Sequence, residues 1–422
     1  MYHRKQILTR SRSWQEYQLP FDQAKFALNL PNKRIKMFFG ISTCSEDIDA
    51  ESAFEEIQEQ CEEKLDGQTP KAGLLFAGID TEHQKLVDAI NQTWPGIQLI
   101  GCSSDAELSS TNGFCEDSVT LMLFGSDTID ITAGVGRNLS RDIPAACRQA
   151  RDEALSKTDI NPAFCITTPE SLTTNGQQVI TYLKGILGSN LPFFGATAGD
   201  QYRFKRTYQY YCNEVLSDAV PLLFFSGSMN FAAGVASGWL PVGAPGEVTR
   251  AEGTVVYEID HFPAIDFYKR FLGADAKPSG ECPLAILGAD NEMEYLRATP
   301  GTVDETTGAI TFFADVPQNA KVQVTVADRE GILTGCRDSV EMALANYPGD
   351  QKPEAGIFFS CTARKILLGT QTRKEHEILM DKFGDDFQLI GFYGYGEIGP
   401  NLTGQSDSKF HMESFVSLLI GT

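Results

Sequence analysis

The sequence predicts an α/β protein built from three pseudo-repeated β-α-β-α-β-β units, the third of which carries a mainly antiparallel β insertion. Three observations support this prediction. Glycine-bearing apolar strands recur at matched spacing, each copy closes with an acidic residue before an apolar strand, and the third copy is longer by one continuous block. Self-similarity of this kind is the sequence signature of a repeated structural unit.

The glycines form three pairs, one for each copy. The first two pairs are separated by 61 residues each and the third by 157, so the third copy contains a large insertion. The pairs are Gly40 with Gly101, Gly134 with Gly195, and Gly234 with Gly391. Each copy ends in an acidic residue that precedes an apolar strand, and these residues are Asp117, Asp218 and Glu413.

Between these landmarks each copy reads strand, helix, strand, helix, strand, strand. In the first copy Phe54, Ile57 and Cys61 recur at helical spacing. A continuous apolar run at 73–77 is of the buried-strand type, and a second helix begins near Thr81. The second and third copies repeat this order, which predicts packed units of one design.

The insertion differs from the units in its pattern. Four short runs of alternating or apolar residues predict strands, and one helix is predicted around 264–271. The predicted boundaries are 1–34 for a basic leader, 35–228 for an N-terminal domain with units 35–125 and 129–228, and 229–422 for a C-terminal domain with the insertion at about 243–327.

Charge and cysteine usage exclude several classes of protein. The formal net charge of −21 opposes binding to nucleic acid or to anionic membranes. The ten cysteines contain no CxxC pair and no zinc spacing, and the leader lacks the apolar core of a signal peptide. The uncharged stretch 219–246 contains a turn and several glycines, so we interpret it as two buried strands rather than a membrane span. These features predict a cytoplasmic protein.

With these residues laid out, the chain resembles the FIST family, named for F-box and intracellular signal transduction proteins. The resemblance is carried by Ser360-Cys361-Thr362-Ala363-Arg364, by the run from Gly391 to Pro400 with its Gly-Glu-Ile-Gly-Pro segment, and by His411-Met412-Glu413-Ser414. It implies a sensory domain that binds a small molecule such as an amino acid. It further implies signalling through a partner such as a histidine kinase, and in some free-standing members haem binding and a response to nitric oxide.

The loops that follow the matched strands are the predicted ligand site, because ligands of open α/β sheets bind beyond the carboxyl ends of the strands. Hydroxyl groups there would donate hydrogen bonds and the acids would hold an ammonium group. The alternative is that the glycines allow tight packing and the acids cap turns. The predicted ligand-binding residues are Gly101, Cys102, Ser103, Glu107, Gly195, Thr197, Asp200, Cys361, Arg364, Gly391, Tyr393, Gly396 and Glu397.

Two further kinds of chemistry remain open from the sequence. A thiolate at Cys361 beside Arg364 would be a nucleophile, which defines the alternative of a thiol- or carboxylate-dependent enzyme acting on a small metabolite. Arg364 would otherwise bind an anion, or both residues are structural. If haem binds, His261 or His411 is the expected axial ligand, with Cys361 or Cys102 as other options. The alternative for each histidine is a hydrogen-bonded structural role.

Overall fold

Three six-stranded sheets with the same strand order form the centre of the protein. The structure is a computed structural model that describes residues 38–402 and 407–422, so the predicted basic leader lies outside the described residues. Each sheet contains four long strands from one unit, and two of these four strands run parallel to each other. The predicted α/β fold class is confirmed.

The first unit begins with a strand and an amphipathic helix. Asp49 caps this helix by accepting hydrogen bonds from the backbone N–H groups of Glu51 and Ser52 (3.1 Å each), and Asp66 ends it in the left-handed conformation. The elements of this unit are β1 (Phe39–Ser45), α1 (Ala50–Leu65), β2 (Ala72–Gly78), α2 (His83–Thr93), β3 (Gln98–Ser104), β4 (Glu107–Ser109), β5 (Gly113–Cys115) and β6 (Val119–Gly125).

The second and third units repeat this order of elements. Those of the second unit are β7 (Asp130–Arg137), α3 (Ile143–Leu155), β8 (Pro162–Thr167), α4 (Gly176–Leu187), β9 (Phe193–Ala196), β10 (Gln209–Tyr211), β11 (Glu214–Leu216) and β12 (Ala219–Ser226). The third unit begins with β13 (Asn230–Ala236) and resumes after the insertion.

The insertion forms an antiparallel sheet of seven strands with one helix. It extends from β14 to β20, close to the predicted range. Its elements are β14 (Leu240–Glu252), β15 (Val255–Ile259), β16 (Phe262–Pro263), α5 (Ala264–Leu272), β17 (Leu284–Leu287), β18 (Met293–Arg297), β19 (Ile310–Thr311) and β20 (Lys321–Val326). The remaining elements of the third unit are α6 (Arg329–Asn346), β21 (Ala355–Cys361), α7 (Thr362–Leu368), α8 (Arg373–Phe383), β22 (Gln388–Gly394), β23 (Glu397–Gly399), β24 (Lys409–His411) and β25 (Phe415–Gly421).

The prediction missed a short hairpin in every unit. Each hairpin leaves its own unit and extends the sheet of a neighbouring unit. The β4–β5 hairpin pairs with β22, the β10–β11 hairpin pairs with β3, and the β23–β24 hairpin pairs with β9. The three exchanges form a closed cycle, so no unit completes its sheet without another unit.

The inner faces of the three sheets share one apolar core, and the helices cover the outer faces. Aromatic contacts join the units in pairs. Phe76 meets Phe392 with ring centroids 4.4 Å apart, and Phe124 meets Phe225 at 5.5 Å. The stretch 219–246 forms β12, β13 and the start of β14, as interpreted from the sequence. Among the described residues no helix is both long and apolar enough to cross a membrane.

The second glycine of each pair occupies the same position in its sheet. Gly101, Gly195 and Gly391 lie on β3, β9 and β22, each opposite a residue of the parallel neighbouring strand. A Cβ atom at Gly101 would lie 1.7 Å from the carbonyl oxygen of Leu75, and one at Gly195 would lie 1.9 Å from that of Thr167. These glycines therefore allow close approach of two strands and do not face a ligand.

Candidate functional site

A cavity of two chambers lies between the second unit, the third unit and the insertion. The inner chamber has a volume of about 190 Å³. The second unit contributes the loop 171–176 and Thr197, and the third unit contributes the segment Cys361–Ala363 and Glu413. The outer chamber, of about 660 Å³, shares Ala363 and Glu413 with the inner one. The two chambers therefore adjoin at these residues.

Glu413 is the most unusual residue of the cavity. The acids that close the three units, Asp117, Asp218 and Glu413, all adopt left-handed backbone conformations, with φ of 56°, 60° and 61°. Asp117 is exposed and Asp218 is half-buried, and their carboxylates accept hydrogen bonds from Gln201 and Ser140 respectively. Glu413 is 1% exposed, and its Oε2 has no hydrogen-bond partner among residues 38–402 and 407–422. The third unit thus buries its closing acid against a cavity, whereas the closing acids of the other two units remain accessible to solvent.

Glu397 is a second buried acid next to the inner chamber. Its Oε2 accepts hydrogen bonds from the backbone N–H (3.0 Å) and hydroxyl (2.8 Å) of Ser414. No group among the described residues donates a well-aligned hydrogen bond to its Oε1. The thiol of Cys361 lies beside the carboxyl group. Cys361 lines the chamber, so Glu397 stands directly behind the chamber wall.

Burial dominates the electrostatics of these groups. It raises the pKa of Glu397 to about 8, partly offset by the hydrogen bonds from Ser414. Burial, and then the charge of Glu397, raise the pKa of Glu413 well above its ordinary value. Removing a carboxylate from water disfavours its charged form, so both groups hold a proton near neutral pH.

Cys361 is a buried thiol, at 6% exposure. Burial, followed by the charges of Glu397 and Glu413, raises its pKa well above the ordinary value of a thiol. A nucleophilic cysteine needs the opposite shift, because the thiolate is the reactive form. Arg364, which the sequence placed beside Cys361, points to Glu375 instead. It therefore does not lower the pKa of the Cys361 thiol.

A loop at residues 200–206, which we call the strap, crosses the mouth of the cavity. Three of its residues, Gln201, Tyr202 and Phe204, have positive φ of 57°, 60° and 48°. Asp200 holds this strained path because its carboxylate accepts backbone hydrogen bonds from residues 204, 205 and 206 (2.7–3.1 Å). The hydroxyl of Tyr395 donates to Asp200 Oδ1 (2.5 Å) and accepts from Tyr202 N (2.6 Å).

The strap exists because the second unit is longer at this point. The hairpin of the first unit starts six residues after Gly101, whereas that of the second unit starts fourteen residues after Gly195. Gln209, which begins β10, therefore occupies the position that Glu107 and Glu397 hold in the other units. The sequence interpretation had matched Asp200 with these two acids, but Asp200 belongs to the extra segment and caps it.

Of the predicted ligand-binding residues, Thr197 and Cys361 line the inner chamber and Glu397 contacts the thiol of Cys361. Glu107 is buried and outside the chamber, where it accepts hydrogen bonds from Ser104 and Ser118. The remaining predicted residues serve packing or internal hydrogen bonds. Cys102 lies in the central core, and the hydroxyl of Ser103 donates to the carbonyl of Gly199 (2.8 Å). The strands approach each other closely at Gly101, Gly195 and Gly391, and Gly396 packs against Phe410.

Arg364 and Tyr393 belong to a buried network around Glu375. Arg364 is 0% exposed and forms an ion pair with Glu375 (2.6 Å), and it donates further hydrogen bonds to the carbonyls of Ser237 and Ile332. The hydroxyl of Tyr393 donates to the other oxygen of Glu375 (2.7 Å). All these contacts are internal, so the guanidinium is not presented to an anion in the cavity.

The two histidines that the sequence offered as axial ligands do not fit a haem group in the cavity. His261 is exposed on a turn of the insertion, and His411 is buried with Nε2 donating to the carbonyl of Pro400 (2.6 Å). Neither histidine lines the inner or the outer chamber. Burial lowers the pKa of His411 to about 4. Within residues 38–402 and 407–422 no cluster of His, Cys, Asp and Glu has the arrangement of a metal site.

The sequence interpretation missed Glu413 and the aromatic residues of the strap as site residues. Tyr202 and Phe204 line both chambers and pack against Tyr395, with ring centroids 5.7 Å and 5.4 Å from it. Two features of the sequence could have indicated these residues. Glutamate replaces aspartate at the third closing turn, and the second unit has a longer segment with aromatic residues after its glycine.

Two family models match the chain. The FIST N domain matches residues 71–261 and the FIST C domain matches residues 264–400. An uncharacterized protein of Methanocaldococcus jannaschii is 29% identical over 77% of this chain and 69% of its own length. An uncharacterized protein of Mycobacterium tuberculosis is 30% identical over 39% of this chain and 45% of its own length.

One comparison concerns a solved structure. A cyanuric acid hydrolase from A. caulinodans is 11% identical, and the match covers 90% of this chain and 99% of that chain. The TM-score is 0.34, which is too low to support an inference about this chain.

Proposed function

Because the chain belongs to the FIST family, whose domains are associated with sensing in signal transduction, we propose that it is a cytoplasmic sensor that binds a small molecule in the two-chamber cavity. The observation that carries this proposal is the state of Glu413. It is buried against the cavity, left-handed in its backbone and without a partner for Oε2. No other closing acid combines these features.

The free energy involved supports a ligand at this position. A buried polar group without a hydrogen-bond partner costs about 1–3 kcal/mol, and a non-glycine residue in a strained backbone conformation costs a further 1–3 kcal/mol or so. Asp117 and Asp218 have the same backbone conformation, but neither is fully buried and both are hydrogen-bonded. Strain of this type is retained at binding sites, where a ligand supplies the missing partner.

The strap offers a route from the cavity to the other units. Tyr202 lines the cavity, while its neighbour Gln201 donates a backbone hydrogen bond to Asp105 of the first unit (2.6 Å). Arg203 forms an ion pair with Asp80 of the first unit. A ligand that displaces Tyr202 would alter these contacts and so change a surface formed by all three units. We propose that a separate signalling protein, such as a histidine kinase, recognises that change.

The enzyme alternative has weaker support. A thiol-dependent reaction needs a thiolate at Cys361, and the carboxyl groups of Glu397 and Glu413 raise the pKa of this thiol together with burial. A carboxylate-dependent reaction needs two groups that reach the substrate, and of the two neighbouring carboxyl groups only Glu413 is among the described lining residues, whereas Glu397 lies behind Cys361. Binding without chemistry is the function that this arrangement supports best.

A thermal-shift screen with a library of metabolites tests the proposal. Ala363 lies between the chambers and is half-buried, so Ala363→Phe would block the inner chamber without removing a core contact. Ala345 on α6 is exposed, and Ala345→Phe is the matched control. We expect a compound that stabilises the wild type and the control variant but not Ala363→Phe. Stabilisation that is unchanged in Ala363→Phe would place the ligand elsewhere and overturn the proposal.

A further inference from the structure

We propose that the ligand is an amphipathic primary amine, whose ammonium group sits in the inner chamber against Glu413 and whose apolar chain runs along the outer chamber. This inference rests on the proposed function and specifies the class of molecule that the cavity takes. Three properties of the cavity carry it: the charge of its lining, the exposed apolar side chains at its mouth, and the sizes of its two chambers.

The side chains that line the two chambers are suited to a cation, and none of them among the described residues offers a positive charge to an anion. Among the described residues that line either chamber, none is lysine, arginine or histidine. Two buried guanidinium groups lie outside the lining and have internal partners: Arg364 forms an ion pair with Glu375, and Arg297 donates to the carbonyl of Phe410 and to the side chain of Gln177. The acidic groups, in contrast, include Glu413 with an unpartnered oxygen in the wall and Glu397 directly behind it. An ammonium group would donate to these oxygens, and charge-assisted hydrogen bonds of this type are strong.

Aromatic rings around the inner chamber favour the same charge. Tyr202, Phe204, Tyr395, Phe313 and Phe410 all contribute to its lining. The face of an aromatic ring attracts a cation, most strongly where water is excluded. A carboxylate or phosphate would face these rings and the two acids without a compensating positive charge. The inner chamber therefore discriminates by charge.

The outer chamber presents apolar side chains to solvent. Phe204, Phe313 and Ile366 are 50%, 45% and 55% exposed, and all three line this chamber together with Leu367 and Pro300. Exposed apolar residues scattered singly need no explanation, but a group of them around one groove marks a binding surface. An aliphatic chain placed here would remove this apolar surface, and its own, from water.

The chamber sizes set the order of head and tail. The inner chamber, at about 190 Å³, equals the share of liquid volume of roughly six water molecules, which suits an ammonium group and the first carbon atoms. The outer chamber, at about 660 Å³, falls within the range of roughly 300–1,000 Å³ that is typical of pockets for larger organic ligands. A polar head with an extended apolar chain fills both.

Binding of a cation should also release a proton. Glu397 and Glu413 hold protons in the free protein, and a bound ammonium favours their ionised forms. The other charged or titratable groups near them are Cys361 on β21, Tyr202 of the strap, Asp105 of the first unit, Arg364 on α7 and His411, which pairs with Glu397 across β23 and β24. Burial lowers the pKa of His411 to about 4, so it stays neutral, and burial raises the pKa of Asp105 to about 6, so it is ionised over most of the range from pH 6 to 8. Cys361 and Tyr202 have raised pKa values and stay neutral near pH 7. Amine affinity should therefore increase with pH between about 6 and 8, by up to about tenfold per pH unit for one released proton.

The test is a calorimetric titration of the full chain with butylamine, pentylamine and hexylamine, and with the alcohols and carboxylates of matching length. We expect amine affinity to rise by about three- to fourfold for each added methylene group. Alcohols should bind more weakly and without pH dependence, and carboxylates should not bind. Ala363→Phe should abolish amine binding, and Ala345→Phe should leave it unchanged.

Two pairs of variants separate the roles of head and tail. Glu413→Gln keeps the size of the side chain and should weaken the binding of amines by at least about tenfold, while leaving the binding of alcohols unchanged. Glu107→Gln, at a buried acid outside the cavity, is its control. Phe313→Ala should reduce the gain per methylene group, whereas Phe262→Ala, an exposed aromatic of the insertion that does not line either chamber, should not.

The outcomes distinguish the ligand class from the site. If alcohols or carboxylates bind as tightly as amines, and Ala363→Phe abolishes this binding, the assignment of a cationic ligand is overturned, while the assignment of the site to the cavity stands. If amines bind equally to Ala363→Phe, the assignment of this class to the cavity is overturned. If none of the three series binds, the amine inference fails, and the proposed function is then judged by the metabolite screen alone.

Discussion

The pH dependence of stability should reveal the buried acid of the first unit. Glu107 is 0% exposed, and burial raises its pKa from 4.5 to about 8. Its Oε1 contacts the hydroxyl of Ser104, and its Oε2 accepts from the backbone N–H and hydroxyl of Ser118. Glutamine at this position resembles the protonated acid, because an amide can donate to Ser104 and still accept from Ser118. Glu107→Gln therefore tests whether this acid is protonated in the folded protein.

The sign and the magnitude follow from linkage. The folded state binds this proton more tightly than the unfolded state, so the contribution of Glu107 to stability is complete below about pH 4.5 and declines as the pH rises towards 8. Each pKa unit corresponds to about 1.4 kcal/mol, so the difference between 4.5 and about 8 sets a ceiling of about 5 kcal/mol. Relaxation of the surroundings should reduce this to roughly 2–4 kcal/mol.

Urea unfolding at several pH values between about 5 and 8 measures this effect. We expect Glu107→Gln to match the wild type within about 1 kcal/mol near pH 5 and to become the more stable protein by roughly 2–4 kcal/mol near pH 8. Glu55→Gln, at an exposed position on α1, should follow the wild type at every pH. A difference between Glu107→Gln and the wild type that stays constant with pH would refute the reasoning.

Other changes test the backbone, the buried network and the strap. Gly101→Ala should prevent stable folding or lower the free energy of unfolding by several kcal/mol, since its Cβ would lie 1.7 Å from a carbonyl oxygen. Gly185→Ala, within α4 and with open space around it, should instead stabilise the protein by about 0.5–1 kcal/mol, and urea unfolding measures both effects. Arg364→Met should lower the free energy of unfolding by about 3–5 kcal/mol, because it leaves Glu375 buried without its partner, and a loss below about 1 kcal/mol would contradict the buried ion pair. Asp200→Ala should speed amide hydrogen exchange at residues 204–206, and unchanged exchange there would show that its carboxylate does not hold the strap.

The sequence predicted the mixed α/β fold class because the signals of its strands and helices are local. Gly101 and Gly195 recur at fixed positions in apolar strands, and the structure places them at equivalent points of two sheets. The hairpins were missed because β4, β10 and β23 contain three residues each and pair with strands of another unit. Such strands have little periodicity of their own, and their partners are set only by tertiary packing.

The candidate site was harder to predict because burial decides its chemistry. Arg364 precedes Lys365 in the sequence, which suggested an anion site, but its partner Glu375 lies on a different helix. Cys361 was predicted just past a core strand and is the last residue of that strand, β21. The pKa of its thiol depends on burial and on two carboxyl groups that approach from other segments, neither of which the sequence reveals. Glu413 was recognised as a closing acid, and only the structure shows that its unpartnered oxygen belongs to a cavity wall.

The most direct test of the central claim is a crystal structure of the protein grown with the ligand that the thermal-shift screen identifies. We predict electron density for that ligand between the second and third units, with a polar atom within hydrogen-bond distance of Glu413. Density beside Asp117 or Asp218 instead, with the cavity at Glu413 unchanged from the free protein, would contradict the account.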